Sequence, residues 1–280
     1  MRACGGNRLG TRVYLSDLRW AGMAGLVAAM LILNGCSSSL YGGWLVRTNS
    51  TPLAPGLDPD DLEERPVAVF SALGPPAFRG NEIALTYYLD DVLHKVRPDW
   101  KIIPSQETAT RINRQGLAAE YSRMRSDYEL TSILDRDSLR KIAAAIGARY
   151  VFQPRLADFQ QMMQDRWIFP AANVRVSQTR SSIMRLSLSM WDTETGELVW
   201  ASMGEATMEG EAVSQDPVYL EDISRAAWGS ILSDFIQRKK GSKYTPLNQF
   251  LNNLVRESVP EEDKEDAGKA VRPGPGKVQK

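Results

Sequence analysis

The stretch that decides the fold is residues 182–200, which read SIMRLSLSMWDTETGELVW. Apolar and polar side chains alternate along its first half. The apolar face carries Met184, Leu186, Leu188 and Met190, and the other face carries Ile183, Arg185, Ser187 and Ser189. A period of two is the pattern of a strand with one buried face. Because DTETG is typical of a tight turn and LVW begins a second apolar run, the sequence predicts an antiparallel hairpin with strands over 182–191 and 198–208.

Helices and strands alternate on both sides of this hairpin. Strands are predicted over residues 66–70, 100–104 and 150–159, and helices over residues 81–96, 105–115, 137–146 and 220–237. A polar stretch at 118–128 also has helical character. Leaving that stretch out, the order is βαβααβββα. This order predicts an α/β (α+β) fold with a mixed sheet of about five strands and helices packed on it.

The first 35 residues are typical of an export signal. Arginines precede an uninterrupted apolar run over residues 20–33, which is short for a membrane span. The run ends in Leu33-Asn34-Gly35-Cys36, which resembles the lipobox of bacterial lipoproteins. Asn34 departs from the Ala, Ser or Thr usual there, so an uncleaved anchor or an ordinary signal with a coincidental cysteine stays an alternative. The resemblance implies lipid on Cys36 and, because Ser37 follows, an outer-membrane anchor with the domain in the periplasm.

The charge and cysteine content of the mature chain limit the partners and covalent links that it can have. Four of the 34 basic and one of the 34 acidic side chains belong to residues 1–35, so the mature chain carries a net charge of about −3. No polybasic segment is present to bind a phosphate backbone, which argues against nucleic acid as a partner. Cys36 is the only cysteine after the signal, so the mature chain has no internal disulfide.

Composition also divides the chain. Residues 1–35 are the predicted signal peptide, and residues 36–64, rich in Gly, Pro, Ser and acids, are predicted to form a lipidated flexible tether. Residues 65–238 form the predicted α/β domain, followed by a helical extension at 239–256. The tail at 257–280 is predicted to be disordered because it has almost no apolar residues.

The sequence offers little for catalysis or metal binding. His94 is the only histidine and is interpreted as a solvated helix residue, so the usual zinc and iron sites are excluded and no metal or cofactor is expected. No GxxxxGK or GxSxG motif is present. Carboxylate pairs such as Asp90/Asp91, Asp135/Asp137 and Glu261/Glu262 are interpreted as surface, capping and tail positions, respectively. The chain is therefore predicted not to be an enzyme.

Three segments resemble one family of envelope lipoproteins. The helix-to-strand junction is Ala145–Val151, the hairpin Met190–Trp200 fits D-x-x-T-G-x-x-x-W, and Pro66–Phe70 matches the first strand. This family includes the curli secretion channel subunit and the lipoprotein activators of penicillin-binding proteins, and the Tol translocation protein's N-terminal domain has a similar fold. The resemblance covers about residues 65–238. It implies structural roles for three residues: Asp192 caps the turn, Gly196 supplies a positive φ and Trp200 packs on the sheet.

The segment from Gln160 to Gln178 is predicted to contain the functional residues. It holds an apolar cluster longer than a hairpin turn requires: Met162, Met163, Trp167, Ile168 and Phe169. Either the strands run on and these residues cover the sheet, or they form a partner-binding surface. The expected function is that of a non-enzymatic, membrane-anchored lipoprotein whose periplasmic domain binds a protein partner in envelope assembly or secretion. The alternative is a subunit of an oligomeric outer-membrane channel or collar, although two membrane-patterned hairpins are lacking.

Overall fold

The structure, a computed structural model, describes residues 42–169, 174–212 and 219–246, with side chains described over 45–162, 181–208 and 219–243. The strands are β1 (Gly42–Ser50), β2 (Val67–Val69), β3 (Ile102–Ile103), β4 (Tyr150–Phe169), β5 (Val174–Asp192), β6 (Leu198–Ala212) and β7 (Gly241–Pro246). They form one sheet of order β3-β2-β4-β5-β6-β1-β7. The pairs β3/β2 and β2/β4 are parallel, and all other neighbours are antiparallel.

Helices connect and cover these strands. The α-helices are α1 (Glu82–Val96), α2 (Ser105–Arg114), α3 (Ala118–Thr131), α4 (Arg136–Ile146) and α5 (Leu220–Ile236). Short 3₁₀ helices occupy Pro59–Glu63 and Pro76–Phe78. Gly147 ends α4 in the left-handed conformation at φ 79°, where a Cβ would be disfavoured. No helix in the described ranges has the length and apolar character needed to cross a membrane.

The predicted fold class is confirmed. The five predicted strands are present as β2 to β6, and the predicted hairpin of β5 and β6 brings Met190 opposite Trp200. The polar stretch that the predicted order left out is the helix α3. Two further strands, β1 and β7, widen the sheet beyond β6.

The prediction of a flexible tether over residues 36–64 is wrong for residues 42–64. β1 pairs with β6 from Gly42 to Ser50, and Leu62 in the first 3₁₀ helix is fully buried. The sequence of β1 lacks the alternation of apolar and polar residues that predicts a strand. Its buried face carries two hydroxyl side chains, Thr48 and Ser50, which form hydrogen bonds with other side chains. The folded domain therefore begins at least 20 residues earlier than predicted.

The helical extension predicted at 239–256 is also wrong for its first described part. Residues Gly241–Pro246 form strand β7, which pairs antiparallel with β1. A strand forms there because β1 offers a free edge to the chain leaving α5. Residues 247–256 and the predicted tail at 257–280 lie outside the described residues.

The segment between the third and fourth predicted strands continues both of them. β4 extends to Phe169 and β5 starts at Val174, with cross-strand pairing up to Phe169 opposite Val174. The alternative in which the strands run on is therefore correct for the backbone. From Asp158 to Phe169, β4 pairs only with β5 within the described part of the chain.

One face of the sheet is covered by α1 and α5. Phe235 of α5 is the centre of an aromatic group: its ring lies 4.7 Å from Trp200, 5.7 Å from Trp100 and 6.2 Å from Phe152. Trp228 is fully buried beside them, and its Nε1 donates to the Leu85 carbonyl of α1 at 3.2 Å. Burial of these large rings removes much apolar surface from water and stabilises the packing of α5 on the sheet.

The opposite face is covered only in part. Helices α2, α3 and α4 pack over β2, β3 and the start of β4, with Phe70, Ile142 and Val151 in that core. The cluster ends where the rings of Tyr128 and Trp191 meet edge to face at 6.3 Å. Past these rings, no described helix packs on this face of β5, β6 and β1.

Candidate functional site

We call the side of the sheet on which no described helix packs past Tyr128 and Trp191 the uncovered face. It is the side of β4, β5, β6 and β1 that points away from α1 and α5, and the strand register divides it into three rows. The Arg155 row is Arg155, Ser187, Met203 and Asn49; the charged row is Asp158, Arg185, Glu205 and Arg47; the Leu45 row is Gln160, Ile183, Thr207 and Leu45. A bulge at Ala157 allows Arg155 and Asp158, three residues apart, to face the same side.

The charged row is internally paired. Arg185 Nε lies 2.5 Å from Glu205 Oε2, and Arg185 Nη1 lies 3.1 Å from Asp158 Oδ2. Arg47 approaches Glu205 from the other side at 3.5 Å. The bond to Glu205 raises the pKa of Arg185 above its ordinary value. Two cations and two anions therefore alternate across four strands, and the row holds the strands in register.

The Arg155 row contains a cation without a counter-charge. Arg155 is half-buried as a residue, and its guanidinium makes no ion pair or hydrogen bond in the described structure. The other buried or half-buried arginines of the described side chains all donate to an oxygen: Arg97, Arg111, Arg125, Arg149, Arg185 and Arg225. An arginine has five donors, so Arg155 is the exception that requires an explanation.

Arg155 lies in a cleft of about 440 Å³. Its neighbours across the strands, Ser187 and Met203, line the same cleft, together with the loop at residues 73–76 and Glu129 of α3. Glu129 is exposed and forms no ion pair with Arg155. The cleft thus combines a cation, an anion, a hydroxyl and an apolar side chain: Arg155, Glu129, Ser187 and Met203.

The uncovered face carries three exposed apolar side chains, of which Met203 lines the cleft. Met203 is 49% exposed, Leu45 is 38% exposed and Met162 is 51% exposed. The pairing of Met162 with Ser181, two residues beyond the Gln160–Ile183 pair, places Met162 on the uncovered face. Met162 is also one of the predicted partner-binding residues, so the sequence hypothesis and the uncovered face share this position.

The other residues of that hypothesis lie at the far end of β4. Met163, Trp167, Ile168 and Phe169 belong to the strand by their backbone, and their side chains lie outside the described part. Cys36, the predicted lipidation site, also lies outside the described residues. Both predictions therefore stay predictions.

The turn between β5 and β6 is held by Asp192. Its carboxylate accepts from the backbone N–H of Glu194 at 2.8 Å and of Thr195 at 3.1 Å, and it pairs with Arg149. Burial favours a higher pKa, but the Arg149 guanidinium and the two N–H groups outweigh it and lower the pKa of Asp192. Gly196 has φ +75°, and Trp200 is buried in the aromatic group. These are structural positions away from the cleft.

The described side chains show no catalytic constellation. No group of three or more His, Cys, Asp and Glu side chains with metal-binding geometry occurs among them, and His94 is exposed on α1. Asp90 accepts from Ser105, and burial raises its pKa, whereas Asp91 pairs with Arg225. Asp135 caps α4 by accepting from Ser138 N–H. Glu261 and Glu262 lie beyond the described ranges.

Comparison with known proteins gives likenesses in structure only. No family model and no curated protein sequence matches the chain. The PelC dodecamer protein from Paraburkholderia phytofirmans is similar at a TM-score of 0.38 and 14% identity, over 68% of this chain and 96% of that one. Lipoprotein GNA1162 from Neisseria meningitidis is similar at a TM-score of 0.36 and 11% identity, over 62% and 96%.

A third similar structure is the LpoB C-terminal domain from Salmonella enterica, at a TM-score of 0.31 and 16% identity. It covers 57% of this chain and 88% of that domain. At these TM-scores and identities, the likenesses assign neither a family nor an activity to this chain. The proposals below are argued from this chain's own residues.

Sequence reasoning missed most of the uncovered face. The alternation over β5 places Arg185 and Ser187 together on the second face, which is a signal for that strand alone. Other residues of the same rows, Glu205, Arg47 and Arg155, come from three other strands, and the sequence does not predict β1. One sequence feature could have indicated this face: Arg155 lies between the buried residues Pro154 and Leu156 of a strand.

Proposed function

We propose that this chain is a non-enzymatic lipoprotein, anchored to the outer membrane by lipid on Cys36, whose periplasmic domain binds a protein partner in envelope assembly or secretion. The lipobox-like sequence before Cys36 and the serine after it support the anchor. Each CH₂ group of an acyl chain that enters the membrane contributes roughly 0.8 kcal/mol to the binding free energy. Several acyl chains together therefore hold a protein at a membrane. The uncovered face supports partner binding.

The uncovered face is the observation on which the function rests. It is an antiparallel sheet surface with exposed Met203, Leu45 and Met162, and Met203 lines the cleft that contains the unpaired Arg155. Sheet faces in a domain with helices are normally covered by a helix or by a second sheet. Exposed apolar side chains next to an unpaired arginine are typical of an interaction site, because such surfaces gain stability when a partner excludes water.

The proposal predicts that a polar substitution on this face disrupts binding and leaves folding intact. Met203→Glu introduces a charge at a half-exposed position, so the melting temperature should change little. Ile83→Glu is the matched control, because Ile83 is 74% exposed on α1. The measurement is crosslinking of the full-length lipoprotein in intact envelopes: Met203→Glu should remove an adduct that Ile83→Glu retains. Equal adducts in both variants would contradict the proposal.

The alternative function, a subunit of an oligomeric collar or channel, is favoured by the edge of β4. Over Asp158 to Phe169, one side of this strand has no pairing partner in the described structure. Unpaired strand edges of this length template pairing with another chain. The mass of the detergent-extracted protein discriminates between the two functions: a complex of many identical copies supports the collar, and a single copy supports the partner-binding lipoprotein.

A further inference from the structure

We propose that Arg155 binds a carboxylate side chain of the protein partner, while an apolar side chain next to that carboxylate packs on Met203. This inference rests on the proposed function and specifies the chemistry that the uncovered face recognises. The partner is a different protein that presents a single Asp or Glu beside an apolar residue.

The first step of the argument is the charge of Arg155. Arg155 is a half-buried residue whose guanidinium has no acceptor among the described residues, whereas the comparable described arginines are all bonded to oxygens. A carboxylate satisfies two donors of a guanidinium at once, and this bidentate geometry is the strongest that arginine forms. The nearest anions of the face, Asp158 and Glu205, are already occupied by Arg185. No described carboxylate bonds to Arg155, so we infer that its acceptor is supplied by the partner.

The second step is the arrangement across the strands. Ser187 is opposite Arg155 and Met203 is opposite Ser187, so a cation, a hydroxyl and an apolar side chain follow one another in one row. The Ser187 hydroxyl also has no hydrogen-bond partner within the described structure, and it offers a second donor to a carboxylate. Met203 is flexible and exposed, and methionine adapts to varied apolar partners.

The third step is the size of the surface. The row from Arg155 to Asn49 crosses four strands, a distance of about 14 Å at the usual strand spacing. A small free carboxylate fills only its first part, whereas a peptide or helix of a protein reaches from Arg155 to Met203 and beyond. Glu129 lines the same cleft as Arg155, so it limits the negative charge that a ligand can carry there. One carboxylate flanked by an apolar residue is the chemistry that fits.

The experiment places a photo-crosslinking residue at Asn49, which is exposed at the end of the row. The full-length lipoprotein carries it in intact envelopes, with Arg155 unchanged, with Arg155→Met or with Arg155→Glu. The adduct should fall by at least about tenfold in both variants, as expected for loss of a desolvated charge pair. Mass spectrometry of the adduct identifies the contact segment of the partner. An Asp or Glu there, changed to Arg, should restore the adduct with Arg155→Glu.

Arg114→Met is the matched control, because Arg114 is an exposed arginine at the end of α2. It should leave the adduct unchanged. An undiminished adduct in Arg155→Glu would overturn the carboxylate inference and leave the proposed function intact. An adduct to a second copy of this chain would overturn the inference and favour the collar. Absence of any adduct from Asn49, in protein that folds and carries the lipid label, would overturn both proposals.

Discussion

Arg185 and Glu205 face each other across β5 and β6, with Arg185 Nε 2.5 Å from Glu205 Oε2. The Glu205 side chain is only 5% exposed, whereas that of Arg185 is 40% exposed. A carboxylate this buried is stable in the sheet because a cation approaches it from each neighbouring strand, Arg185 on one side and Arg47 on the other. Arg155, which lies one row away, has no such counterpart.

Removal of Arg185 should therefore destabilise the domain more than removal of Arg155. Arg185→Met leaves Glu205 buried with only the more distant Arg47, and the free energy of unfolding should fall by about 2 kcal/mol. Arg155→Met removes no intramolecular bond and should change it by less than about 0.5 kcal/mol. Urea denaturation of both variants measures the difference. Equal losses would show that Arg155 has an intramolecular partner.

Gly204 of β6 allows the close approach of α5. A Cβ added at Gly204 would lie 2.7 Å from Ile231 Cγ1 and 3.3 Å from the Ala227 carbonyl. Gly204→Ala should therefore lower the free energy of unfolding by about 1–3 kcal/mol through overpacking. Gly74→Ala is the control, because its added Cβ meets no atom closer than 3.6 Å. Thermal unfolding of both variants tests the helix-to-sheet packing.

The Asp192 carboxylate should make the stability of the domain depend on acid pH. Its pKa is lowered in the folded protein, so its contribution is present above the unfolded pKa, about 4, and is lost as pH falls through the lower folded pKa. Asp192→Asn should therefore be less stable than the native protein at pH 7, and the gap should narrow below pH 4. Asp135 has a pKa lowered in the same direction, but it is common to both proteins. A gap that is constant with pH would contradict this role.

Cys36 should carry the lipid. An acyl probe fed to cells that produce the protein should label it, and Cys36→Ala should abolish the label and release the protein from the membrane fraction. Cys4→Ala is the matched control, since Cys4 lies within the predicted signal peptide and should leave labelling unchanged. A label that persists in Cys36→Ala would overturn the anchor.

Trp167 and Phe169 test whether the far end of the long hairpin also contacts the partner. If both rings form part of the partner-binding surface, replacing them with Ala should abolish a co-purifying partner while leaving the melting temperature nearly unchanged. A large loss of melting temperature would show instead that both rings cover the sheet.

The local spacing of apolar residues predicted those helices and strands that bury one face along their whole length. The alternation from Ile183 to Met190, the turn at Asp192 to Gly196 and the helical spacing of α1, α4 and α5 all appear where the sequence placed them. In these elements, apolar residues recur at the period of the structure, because one face of each packs on a common core. The mixed α/β class followed from their order.

The sequence by itself thus determined the hairpin, the helices that cover one side of the sheet, and the lipobox-like segment before Cys36. Only the tertiary structure decided that β1 and β7 widen the sheet, since β1 is stabilised by polar bonds of Thr48 and Ser50 that have no periodic signature. It also decided the uncovered face. Arg155, Ser187 and Met203 lie 16 or more residues apart in sequence and become neighbours only through strand register, a long-range property that local pattern does not encode.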